Sequence, residues 1–411
     1  MSANGGMVVR SAKTRLRIAI LLIADIVCLL VNLTILPNVK AENTATPTPL
    51  FPSQLPSNLP VISAANAQSL KEVARFCAGN ADNCGYVFAW SPDSRQFAVS
   101  NSTGVDIFDI YRLHQTPKHF SIPDGQVEQF SPDWTLLASI GKDGSVILWN
   151  VETTQREFAI PLPNLNVEAL KFSPNGQYLA LFPSDNSIRL WDARTLQEVR
   201  VWRGEQGGTD LLSSFSPEGS LIAITSATAL PSSIQLWDIK TGQVVSELKI
   251  EGLAPIISHL AFKTDGTLLA ITSSANTSVW NTKTHAKLFT LNMTFNYDWA
   301  LGAVFSPDGK LLAVSGRQRI YVWDVTTQKQ TTLIDGLGLD GVSVQFGTDG
   351  SWLFSTDQSD TDFKPHVRLW DTTSGKKLSD FVNEQSPVLS SDGTMFATSE
   401  VDGSVVIRAI Q

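Results

Sequence analysis

One short phrase recurs eight times between residues 90 and 393, and it constrains the fold more than any other feature of the chain. It reads WSPDS at 90–94, FSPDW at 130–134, FSPNG at 172–176 and FSPEG at 215–219. It continues as FKTDG at 262–266, FSPDG at 305–309, FGTDG at 346–350 and LSSDG at 389–393. The spacing of 40 to 47 residues is that of units which stack in arrays or close into rings. A second phrase follows each copy: IFDI, ILWN, IRLWD, IQLWD, SVWN, YVWD, VRLWD and finally VIRAI.

Residues 167–203 show the physics of one unit. VEALKF is rich in strand-favouring residues, and SPNG is a turn in which Pro fixes one φ and Gly permits a positive one. YLALF is a second strand, Ser184-Asp185-Asn186 a tight turn, SIRLWD a third strand and EVRVWR a fourth. The central strands are nearly continuously apolar, so each small antiparallel sheet needs a neighbour on both faces. The 11 tryptophans against 5 tyrosines fit one repeated structural role.

These units resemble the WD40-repeat family over residues 70–411. The resemblance is carried by Trp149, Trp191, Trp237, Trp280, Trp323 and Trp370, followed by Asp192, Asp238, Asp324 and Asp371, with Asn in two units. It implies an all-β fold in which each unit is a four-stranded blade around a central channel. The Gly-His dipeptide of the family is absent, and its turn aspartate survives only as Asp143, Asp185 and Asp402. The Trp–Ser–His–Asp network of the family is thus expected to be incomplete, with apolar packing taking its place.

The ends of the chain favour a single eight-bladed propeller, with seven blades as the alternative. VVIRAI stops one strand short of a blade, and KEVARF (71–76) stands before the first unit with no blade of its own. If the second completes the first, the ring closes and no strand edge is left to aggregate.

Ahead of the repeats, residues 1–41 read as a signal peptide or signal anchor, and 42–69 as a proline-rich linker. The apolar run 18–36 would span about 28 Å as a helix, near the thickness of a bilayer core. Arg10, Lys13, Arg15 and Arg17 flank it on one side and only Lys40 on the other, which places the C-terminal body across the membrane. Val39-Lys40-Ala41 suits cleavage after Ala41, while the length of the run suits retention. An extracytoplasmic propeller is expected either way, reaching the membrane through its N-terminal segment if that is uncleaved. Pro47, Pro49, Pro52, Pro56 and Pro60 give the linker an extended character. Cys77 and Cys84 are either a disulfide closing a short loop or two free thiols.

Little in the sequence asks for chemistry. The net charge is −8 and five of the basic side chains precede residue 42, so the body repels phosphate backbones and nucleic acid is not an expected partner. The five histidines do not converge on one blade edge, and no nucleotide or serine-hydrolase motif is present. No cofactor or metal site is expected. The Thr-Gly turn follows the docking Trp, as in LWDIKTG (236–242), which is WD40 order and not that of quinone-dependent propellers.

The expected function is that of a non-catalytic, monomeric scaffold binding protein partners through its loops. The alternatives are a periplasmic cofactor-dependent propeller enzyme and a carbohydrate or cell-wall binder. Two loops stand out as contact candidates. NMTFNYDWA (292–300) offers Phe295, Tyr297 and Trp299. TDQSDTDFKPH (356–366) offers Asp357, Asp360, Asp362, Phe363 and His366, its acids being read as solvated loop carboxylates.

Overall fold

The computed structural model describes residues 58–76, 86–113, 115–122, 126–160, 162, 165–185, 187–203, 212–226, 233–250, 257–274, 276–291, 300–338, 343–358 and 363–410. The apolar segment 18–36, both of Cys77 and Cys84, and Phe295, Tyr297, Trp299, Asp360 and Asp362 lie outside them. The described residues contain one short 3-10 turn, Ala67–Ser69, and no helix long and apolar enough to cross a membrane.

The described strands form eight four-stranded antiparallel sheets. Blades 1 to 7 each use four consecutive strands, over 86–121, 126–160, 167–203, 213–249, 257–291, 302–335 and 343–382. Blade 3 is typical: Val167–Phe172, Tyr178–Pro183, Ser187–Asp192 and Glu198–Arg203 pair in sequence order. First strands of neighbouring blades approach one another, which puts them nearest the axis.

Alternation along the two middle strands divides each blade between its neighbours. Leu179 and Leu181 pack towards blade 2 with Leu148 and Ile160, whereas Ala180 packs towards blade 4 with Phe215 and Ile222. This explains the continuous apolar runs: a strand with a blade on either face has no wet side. Eight apolar clusters result, one at each blade interface.

The ring closes as the orphan strands suggested. Leu70–Phe76 pairs antiparallel with Val405–Ile410, from Leu70↔Ile410 to Phe76↔Val405 with a β-bulge between Glu72 and Ala74, and completes blade 8 with Met395–Glu400 and Glu384–Leu389. Arg75 clasps the seam, bonding both Glu72 and Glu400 through its guanidinium. Residues 58–69, the end of the segment read as a linker, lie against the ring. Ile62 is fully buried, its N–H donates to the Gly393 carbonyl and its own carbonyl accepts the Trp352 indole N–H, both at 2.9 Å.

Candidate functional site

The recurring SPDG phrase builds one rim of the ring. In blade 2 the Ser131 hydroxyl donates to Asp133 (2.6 Å) and accepts the Leu136 N–H (2.9 Å), closing the turn between the first two strands. The Ser91 hydroxyl likewise holds the Asp93 carboxyl below the usual carboxylate range. In blade 5 Lys263 takes the serine's place and its ammonium meets Asp265 at 2.8 Å. Burial opposes ionisation there, yet the lysine carries that carboxyl down to about 2.

The fifth residue of every copy has a positive φ, from +57° to +72°. Six copies have glycine there, which bears no Cβ penalty. Blade 1 has Ser94, and blade 2 has Trp134 at φ +61°. A bulky side chain in the left-handed region costs about 1 kcal/mol or more and calls for a reason.

The indole of Trp134 lies back over Phe130, with centroids 3.9 Å apart and planes 15° from parallel. Phe130 in turn stacks on Phe88 at 5.4 Å, and the Trp134 N–H donates to the Gln96 amide oxygen at 3.2 Å. Together with Trp90, Pro92 and Pro132 these rings line an open cleft of about 420 Å³ between blades 1 and 2, with Ser391 of blade 8 at its edge. Its wall is fixed across the seam: the Ser391 hydroxyl donates to the Ser91 carbonyl, and the Asp392 N–H to the Ser94 hydroxyl. Trp90 is anchored by its indole N–H to the Val388 carbonyl. This cleft is the candidate functional site. The available signal was the Trp standing where the repeat carries glycine.

Of the loop residues named from sequence, the structure brings Asp357 and His366 together in the sheet of blade 7. Asp357 belongs to the strand Trp352–Gln358 and faces His366 of Pro365–Asp371 in register. It is not a solvated loop acid: its side chain is wholly buried and both carboxylate oxygens accept from Arg368. Burial pushes its carboxyl up against the pull of that guanidinium. His366, named from sequence as a loop contact candidate, is also buried and bonds Asp380 through Nδ1 at 2.7 Å. Asp380 further receives Lys377 and Arg368, so despite partial burial its carboxyl sits below the ordinary value. The sequence hid this network because its members share an interior sheet face through strand pairing. Phe363 is 68% exposed at the margin of the same loop. Among the described residues no three His, Cys, Asp or Glu side chains gather as a metal site.

The six repeat tryptophans share one geometry. Each stands second from the end of its third strand, opposite an aliphatic residue such as Leu137 or Leu353, and marks a β-bulge in the pairing to the fourth strand. Each also packs into the interface with the preceding blade. Residues 128–213, running from the first strand of blade 2 through blade 3 to the threshold of blade 4, match the family profile described as anaphase-promoting complex subunit 4 WD40 domain. Residues 293–324 match the profile described as WD domain, G-beta repeat. The chain is a WD40-repeat β-propeller. No curated protein matches it.

Within this WD40 propeller the polar support of the tryptophans differs from blade to blade, and in blade 5 the Trp280 indole N–H donates to Ser278 of its own strand at 2.9 Å. Where the fourth residue of the second strand is serine, the indole N–H has a partner: Trp149 donates to Ser139 (2.9 Å) and Trp370 to Ser355 (2.8 Å). Leu181 and Ile224 occupy that position in blades 3 and 4, and the Trp191 and Trp237 N–H groups are buried without a partner among the described residues. Asp143, Asp185 and Asp402 bond the serines of their own turns, Ser145, Ser187 and Ser404. Ser355→Ala is therefore expected to lower stability by about 1–3 kcal/mol, the cost of stranding a buried donor. Chemical denaturation followed by tryptophan fluorescence measures it, and an unchanged midpoint refutes the role.

Blade 8 departs from the WD40 pattern more sharply. Arg408 occupies the tryptophan's place, paired with Phe396 as Trp149 is with Leu137, and Thr398 occupies the serine's. Its guanidinium bonds Glu384 and the Thr398 hydroxyl, and lies 4.3 Å from the centroid of the Phe381 ring of blade 7.

Proposed function

We propose that this WD40 propeller is a non-catalytic scaffold that binds protein partners and is held outside the membrane by its N-terminal segment. The single observation that carries the binding role is Trp134. A tryptophan kept in a left-handed turn where glycine would be free of strain makes part of an open aromatic cleft. The strands around it are committed to blade packing, so the cleft is a shaped surface on a stiff frame. Location outside the membrane is supported by the apolar run 18–36 and its basic flank.

Crosslinking in intact cells, followed by recovery of the tagged chain from the membrane fraction, tests both parts. Defined protein partners are expected for the native chain and fewer for Trp134→Gly, with the body digestible by protease added outside the membrane. Recovery of glycans without protein, or a body protected from external protease, contradicts the reading.

A further inference from the structure

The aromatic cleft adjoins a second surface of different character. Gln96, which accepts the Trp134 N–H, also lines a groove of about 440 Å³ whose charged members are Asp93, Arg95, Asp109, Arg112 and Lys118. The carboxylates are already engaged. Asp109 pairs with Arg95 at 2.8 Å, and Asp93 accepts the Ser91 hydroxyl and the Arg95 N–H.

The cations are less satisfied. Arg112 is exposed, and its guanidinium makes no hydrogen bond or ion pair among the described residues. Among the described residues the Lys118 ammonium reaches only the Glu152 carbonyl, at 3.4 Å. On a chain of net charge −8, two uncompensated cations next to an aromatic cleft are a local reversal of sign.

We propose that cleft and groove form one recognition surface for an extended acidic peptide. An apolar or aromatic side chain of the partner seats in the cleft over Trp134, and a carboxylate a few residues along pairs with Arg112 and Lys118. Each extended residue advances about 3.3 Å, so a short stretch of peptide joins adjoining sites. The charges select the partner and speed its arrival, while the buried anchor sets its residence. Nucleic acid also carries negative charge, but two free cations neutralise too little of a phosphate backbone to offset the repulsion of an acidic body.

The proposal rests on reading the chain as a protein-binding scaffold, and its test separates the two. A random peptide library is panned on the detergent-solubilised full chain. Enriched peptides are then titrated by fluorescence anisotropy against the native chain, Trp134→Gly, and the double variant Arg112→Glu with Lys118→Glu. Trp134→Gly supplies the residue that six other turns carry, so the fold is retained, and a matching far-UV circular dichroism spectrum with a single cooperative unfolding transition confirms it.

Enriched peptides should combine an aromatic, leucine or proline anchor with aspartate or glutamate. Affinity should fall at least about tenfold for Trp134→Gly. It should fall about threefold or more for the double variant, with a flatter salt dependence. Enrichment without acidic residues, tighter binding of a short oligonucleotide, or equal affinity for all three proteins overturns the proposal. Peptides that bind all three equally leave the scaffold reading intact, whereas failure to recover any protein in the crosslinking experiment removes that reading itself.

Discussion

A chain shortened to begin at residue 77 does not form the closed ring. It loses the outer strand of blade 8, so Val405–Ile410, every residue of which is buried, becomes an open edge. It also loses Ile62, Val73 and Phe76 from the interfaces of blade 8 with blades 7 and 1. At about 1.5–3 kcal/mol for each large side chain these alone approach the typical stability of a domain, about 5–15 kcal/mol. The severed seam takes the Arg75 bonds to Glu400 with it. Size-exclusion chromatography is expected to show self-association through the bared edge, and thermal unfolding to lose its cooperative transition. A monodisperse, cooperatively unfolding product would show that the ring closes without its N-terminal strand.

Glu384→Ala carries the next largest effect, a loss of about 3–5 kcal/mol. Glu384 is 3% exposed and neutralises Arg408, which is 8% exposed at the interface of blades 7 and 8. Removing the carboxylate leaves a buried guanidinium with only the Thr398 hydroxyl and the Phe381 face. Replacing both members, Glu384→Leu with Arg408→Met, is expected to recover most of that loss, because an apolar pair carries no desolvation penalty. Urea denaturation of the single and double variants measures the difference. Equal destabilisation by both would mean that packing volume, and not the uncompensated charge, sets the cost. Paired charges at this position tie the chain's last strand to the strand that opens its blade, a register device in the one blade assembled from both ends of the described chain.

Much of the frame was legible because its signals are local. Ser91 to Ser94 and Ser131 to Trp134 announce turns by residue type, since a hydroxyl, a carboxylate and a positive-φ position close the same hairpin each time. The unbroken apolar run YLALF, followed by Ile188 and Leu190 in SIRLWD, announces a sheet buried on both faces. The site was less legible. Asp357 reads as a loop acid among other acids, yet strand pairing carries it inside to Arg368, eleven residues away. His366 finds Asp380 in the same way, across a hairpin.

The sequence by itself set the turns of one rim through its eight-fold phrase, and favoured eight blades over seven through that phrase and the orphan strands left at either end of the repeats. Those features depend on periodicity and backbone preference, which each segment carries within itself. The aromatic cleft was decided only by the tertiary structure. Phe88 and Trp90 come from blade 1, Phe130 and Trp134 from blade 2, and Ser391 from blade 8, almost the whole ring away in sequence. Closing the ring sets them side by side, and no spacing along the chain encodes a contact that exists only when the last blade meets the first.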